Sequence, residues 1–271
     1  MAKSYSRFPA EDDASGESRL IDHDDRDGGL SSSDSAAEPR PSPFWGYSDL
    51  LLFFGLAVAG SIVMIIALKL VVTLLPGWQP SEQLLALPIQ LLLYALLYGV
   101  LWLIIRIKYG QPVWPSLGWI RSRIPAWQAI LGGCLLSLIV GLLGTALRTP
   151  PVHSPFEKFL RTPLWMGLFG VFAVFIGPLA EEVIFRGFVQ PLLSRDLGIP
   201  AGISITALAF GLLHGPEYSG AWQYVVLIAF AGACFGWVRF HGRSIIPAAM
   251  MHAGFNAVFF VAAIAQSSIP K

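Results

Sequence analysis

Six polar side chains stand in stretches that are otherwise apolar: Glu181, Glu182, Arg186, His214, His252 and Asn256. Carboxylate, imidazole and carboxamide together form a set of reacting groups. A carboxylate can take a proton from water, a histidine can position that water or bind a metal, and His and Asn can donate hydrogen bonds to an oxyanion. Two histidines and a carboxylate, here Glu181, His214 and His252, also fit a three-ligand zinc site with an open fourth position. Adjacent helical residues point about 100° apart, so Glu181 and Glu182 cannot do the same thing. Arg186 follows Glu182 by four residues, on the same face and in the favourable acid-before-base order. The spacing therefore pairs Glu182 with Arg186 and leaves Glu181 without a local cation, free to serve as a general base. Each group also has a plainer reading: both glutamates solvated at the end of a helix, His214 as an interfacial cap, and Asn256 bonded to a neighbouring helix. His252 and Asn256 are four apart and share a face. It is the occurrence of all six groups in three separate apolar segments that favours one polar cavity.

The elements that must position them are membrane helices. The chain has 271 residues, of which 55% are hydrophobic and 13% charged, against about 25% charged in a soluble domain. Apolar runs of about 20 residues recur, enough to cross a hydrocarbon core as helices. The expected fold is all-α, a polytopic transmembrane helical bundle of about seven or eight spans, and the absence of period-two alternation gives no support to a β-barrel. Seven spans are expected near 50–75, 84–105, 126–147, 164 onward into the Glu-Glu pair, 201–214, 221–240 and 245–265. The fourth can continue to about Leu193 as one helix bent at Pro178.

Residues 1–43 differ from the rest. They hold ten acidic and five basic side chains with Gly, Ser and Pro runs, a composition that predicts a disordered tail. The expected organisation is thus a tail over 1–43 and a transmembrane domain over 44–271, with the motif-bearing core at 163–265. No signal peptide or prenylation box is visible. Cys134 and Cys234 read as small packing residues, and His153 and His241 as surface histidines. Gly232 and Gly236, four apart in the sixth span, read as a helix-packing signal. With the N-terminus inside, the inner side holds Arg106, Lys108, Arg121, Arg123, Arg186, Arg195, Arg239 and Arg243, and the outer side holds Arg148, Lys158, Arg161 and Lys271. Eight against four favours a cytoplasmic N-terminus. The expected location is a bacterial inner (plasma) membrane, and nothing suggests a nucleic-acid partner.

Three ordered segments resemble the CPBP family, the CaaX prenyl-protease and bacteriocin-processing membrane proteins. Glu181-Glu182-x-x-x-Arg186, Phe210-x-x-x-His214 and His252-x-x-x-Asn256 match its pattern in order and spacing. The resemblance covers about 163–265 and implies an intramembrane endopeptidase. It implies Glu181 as the catalytic glutamate, His214 acting with it on the water, and His252 with Asn256 at the oxyanion. Glu182 and Arg186 then support the helix. The resemblance is compatible with a zinc-dependent mechanism or one using glutamate alone. Its implied partner is a protein or peptide substrate in the lipid bilayer, including prenylated ones. A non-catalytic scaffold or immunity protein and a small-solute transporter are the rival classes. No internal repeat supports transport, and His-Glu-x-x-His and Gly-x-Ser-x-Gly are absent.

Overall fold

The computed structural model describes residues 43–75, 77–152 and 156–267. The expected tail, His153 and Lys271 lie outside the described residues, apart from Pro43. Helix α1 spans Tyr47–Leu74, and α2 spans Glu82–Trp102 and continues as a π-helix over Leu103–Lys108. A short α3, Val113–Ser116, precedes α4, Ala126–Ala146. Next comes a composite helix: α5 Pro163–Val171, a π segment Phe172–Ile176, α6 Gly177–Glu182, a second π segment Val183–Val189 and α7 Gln190–Leu197. Gly198 reverses the chain at φ +86°, in the left-handed region that glycine tolerates. Helices α8 Ile199–His214, α9 Trp222–Gly242 and α10 Ile245–Ser267 complete the bundle.

Seven helices among the described residues are long and apolar enough to cross a membrane, so the protein is an integral membrane protein. The sequence places each of the seven to within a few residues. The fourth is a single run of 35 residues, Pro163–Leu197. Its irregularity is not a bend at Pro178 alone, because two π segments flank α6. Such π turns are frequent at functional sites and re-aim the side chains that follow them. Arg186 also departs from expectation. It is no inner-loop cation but a fully buried residue of the second π segment.

Burial identifies the centre of the bundle. In the most apolar window of the composite helix 56% of residues are buried, against 11% in α1. Helix α1 presents Leu51, Val58, Val63, Ile66 and Leu74 outward, as a lipid-facing helix does. One apolar cluster joins Val183, Phe188 and Leu192 to Trp45, Phe53, Leu101, Ile105 and Leu117. A second joins α4, α9 and α10 through Leu136, Val140, Leu227, Phe235 and Met251. Helices α4 and α10 touch backbone to backbone. A side chain at Gly133 would strike the Met251 carbonyl, and Ser137 Oγ donates to Phe255 O at 3.0 Å.

Hydrogen bonds tie each end of the bundle. At one end Trp45 Nε1 donates to Phe188 O at 3.0 Å, and Arg195 Nη1 donates to Pro43 O at 2.6 Å and Trp45 O at 3.1 Å. Asp49 accepts there from Lys108 at 2.5 Å and Tyr109 at 2.6 Å. The loop before α4 joins the α9–α10 turn through Arg123 N to Gly242 O at 3.2 Å and Ser244 Oγ to Ile120 O at 2.6 Å. At the other end Lys158 pairs with Glu82 at 2.6 Å, and Tyr224 donates to Pro150 O at 3.0 Å. Successive spans therefore run in alternating directions, and the polar groups meet between the two apolar clusters.

Candidate active site

Glu182 and Arg186 are both fully buried, with Arg186 Nη1 donating to Glu182 Oε1 at 2.9 Å. A buried pair of this kind holds only with further hydrogen bonds to its remaining groups. One comes from α9, where the Gly232 carbonyl accepts from Arg186 Nη2 at 2.7 Å. Four residues on, Gln190 Nε2 donates to Gly236 O at 3.0 Å. Glu182, Arg186 and Gln190 thus form one i, i+4, i+8 stripe facing α9. The two glycines clear its path: a Cβ at Gly232 would lie 3.1 Å from Arg186 Nη2, and one at Gly236 would lie 2.7 Å from Gln190 Oε1. Phe210 and Phe235 close over the guanidinium, their ring centroids 4.7 and 5.5 Å from Arg186 Cζ.

Glu182 has a second partner. His252 Nδ1 lies 3.0 Å from Glu182 Oε1, so this nitrogen carries a proton and donates it. The ring is stacked on Phe235 at 4.5 Å and meets Phe210 edge-on at 5.8 Å. Fixed in this way, His252 turns Nε2 toward Glu181, whose Oε2 is 3.9 Å away. That separation is too long for a hydrogen bond. Glu181 is partly open, with 24% of its side chain exposed against none of Glu182. Its other oxygen accepts from the Tyr94 hydroxyl of α2 at 3.3 Å.

His214 closes α8 and makes no direct bond to Glu181 among the described residues. Its Nδ1 lies 2.8 Å from the Phe210 carbonyl, which can only accept, so Nδ1 is protonated and a neutral ring leaves its lone pair on Nε2. Phe210, whose ring lies tilted 4.5 Å from that of His214, links it to His252. Glu217 is near enough for its charge to interact with both His214 and Glu181.

Asn256 has a structural partner whose origin can be traced. The Gly177 amide bonds Phe172 O, the five-residue step of a π turn. The same step from residue 178 would serve Ala173 O, but proline has no N–H. Asn256 Nδ2 donates to Ala173 O at 2.8 Å in its place. The carboxamide has a second N–H that this bond does not use.

The structure thus gathers Glu181, Glu182, Arg186 and His252 directly, with His214 joined through Phe210 and Asn256 one turn along α10. Sequence reasoning missed Tyr94, Gln190, Phe235 and Glu217. Gln190 carried a readable signal, since it extends the Glu182–Arg186 spacing by another four residues. Tyr94 and Tyr98, four apart in an apolar run, were a weaker one. The candidate zinc set of Glu181, His214 and His252 does not converge, for no three His, Cys, Asp or Glu side chains among the described residues gather to hold a metal. These three side chains therefore do not meet as a three-ligand site.

Comparison with known families places a match at residues 163–258, to the family described as Type II CAAX prenyl endopeptidase Rce1-like. The matched stretch is a little over a third of the chain and contains all six polar residues. No curated protein and no solved structure matches the chain.

Proposed function

We propose, from a domain of the CAAX prenyl protease family carrying a buried His–Glu pair, that this chain is an intramembrane endopeptidase. It hydrolyses a peptide bond of a membrane-associated or lipidated protein or peptide. The observation that carries the reading is the contrast between two neighbouring carboxylates. Glu182 is sealed and spent on Arg186 and His252, whereas Glu181 is partly open and faces His252 Nε2 across 3.9 Å.

Tyr94 occupies Oε1 of Glu181 and leaves Oε2 to accept a proton from water. His214 offers Nε2 to the same water. The water oxygen attacks the peptide carbonyl carbon, and Glu181 holds the proton released. The developing oxyanion is taken by the second N–H of Asn256 and by His252, whose Nε2 donates when the ring carries a second proton besides the one on Nδ1. As the C–N bond breaks, Glu181 returns the proton to the leaving amine. Glu182 and Arg186 act as supports, fixing the ring of His252 and the helix that presents Glu181.

In this reading residues 44–271 form the protease domain, with its core at 163–265. The N-terminus is cytoplasmic, in a bacterial inner membrane, and the substrate, prenylated or not, arrives from the bilayer. The test compares protein termini in membranes holding equal amounts of wild-type chain or Glu181→Ala. Termini found only with the wild type are expected and would name substrates. Identical termini in both would reassign the cluster to a scaffold or a transporter.

A further inference from the structure

The bundle end that carries the α9–α10 turn holds an open cleft of about 380 Å³ lined by Arg123, Arg239, Phe240, His241 and Arg243. Among the described residues its charge is uncompensated. The two carboxylates described at this end are already engaged, Asp49 by Lys108 and Tyr109 and Asp196 by Arg195. No ion pair involves Arg123, Arg239 or Arg243 among the described residues. Arg239 is held in place: its Nε donates to the Arg186 carbonyl at 3.2 Å, and its Nη2 lies where a side chain at Gly118 would sit. No hydrogen bond from its two Nη groups is present among the described residues, so the outer edge of the guanidinium fork is available to an acceptor. Planar guanidinium forks match phosphate oxygens well.

The surroundings specify the kind of phosphate. Trp237 is exposed and lies against the cleft residue His241, their rings 3.9 Å apart, Trp119 and Trp127 are exposed within four residues of Arg123 in sequence, and Phe240 forms part of the wall. Exposed indoles of this sort mark the level of lipid headgroups on a membrane-spanning bundle. A cationic cleft at that depth, with Phe240 in its wall and exposed indoles near it, suits a phosphodiester that bears acyl chains better than a free anion.

We propose that this cleft is a headgroup site for an anionic phospholipid. Arg239 gives the site a reach beyond its own walls. The same guanidinium holds the carbonyl of Arg186, so the lipid lies one side chain away from the helix that carries Glu181 and Glu182.

The test uses the full-length chain in neutral phosphatidylcholine, titrated with phosphatidylglycerol and, separately, with inorganic phosphate, while the melting temperature is followed. The comparison variant is Arg123→Gln/Arg243→Gln, which leaves the bond from Arg239 of α9 to the Arg186 carbonyl in place. At roughly a fivefold effect per arginine near the membrane surface, the variant should need on the order of 30-fold more phosphatidylglycerol for the same shift. Arg123→Lys/Arg243→Lys should retain most of the response and controls for folding. Phosphate alone should produce none. Equal titrations for the wild type and the Gln variant, no saturable shift in the wild type, or a shift reproduced by phosphate would each overturn the proposal. No readout depends on proteolysis, so failure here leaves the peptidase reading standing.

Discussion

Glu181 and Glu182 are one residue apart, and their surroundings predict opposite responses to the same change. Glu181→Gln keeps the size and the Tyr94 contact but removes the proton acceptor. Cleavage should fall by at least the 10²- to 10⁴-fold contribution typical of a general base, while the melting temperature stays near wild type. Glu182→Gln leaves the Arg186 charge buried without its counter-charge. Breaking one half of such a pair costs about 3–5 kcal/mol, so a drop in melting temperature should accompany the loss of activity. Measuring both quantities for both variants separates the roles, and equal destabilisation would refute the division. Tyr94→Phe removes the hydroxyl on Oε1 and should reduce turnover by roughly tenfold with little loss of stability. The stripe of Glu182, Arg186 and Gln190 follows from helical arithmetic, as does the separation of Glu181 from Glu182. That His252 bonds Glu182 by Nδ1 does not, because the contact joins residues 70 positions apart. Only the packing of α10 on the composite helix decides which glutamate a histidine meets.

Pro178 and Asn256 belong to a different scale, that of the helix and its unpaired carbonyl. If Asn256 substitutes for the missing N–H of residue 178, then Pro178→Ala supplies a rival donor to Ala173 O. Asn256→Ala alone should cost about 1–3 kcal/mol by leaving a carbonyl unsatisfied. In the Pro178→Ala background it should cost less, a coupling of about 1 kcal/mol measurable in a double-mutant cycle of unfolding. Strict additivity would remove this account of Asn256. The same scale shows the limits of reading a sequence. Apolar length gave away seven spans to within a few residues, since length and hydropathy are local properties. The π segments were not legible: a π turn differs from an α turn by one residue of register, and side-chain packing selects between them. Gly232 and Gly236 were legible as close-packing residues, but their use, clearing room for Arg186 and Gln190 to reach carbonyls, needed the facing helix.

For the whole molecule the question is which way it lies in the membrane. With the N-terminus inside as expected, buried Arg186 drops out of the sidedness count, which becomes seven inner cations against four outer. The bias survives because the remaining seven all lie in or beside the bundle end that holds Trp45, Asp49 and the α9–α10 turn. A membrane-impermeant thiol reagent applied from outside should therefore label a cysteine placed at Gly77 and spare one placed at Gln111, in a chain whose two native cysteines are changed to alanine. The reverse pattern would invert the topology and move the cationic cleft to the opposite leaflet.

The strap formed by Pro43 and Trp45 also sets an order of assembly. Its partners, Phe188 and Arg195, lie 143 to 152 residues further along the chain. At about 5–20 residues per second a ribosome needs roughly 8–30 s to make that stretch. The first span must therefore wait in the bilayer, held only by the second through Asp49, Lys108 and Tyr109, until the fourth has been synthesised. Birth of the first helix and its docking on the bundle centre are separate events, and a chain truncated before Phe188 would leave that helix with its Asp49 contacts alone.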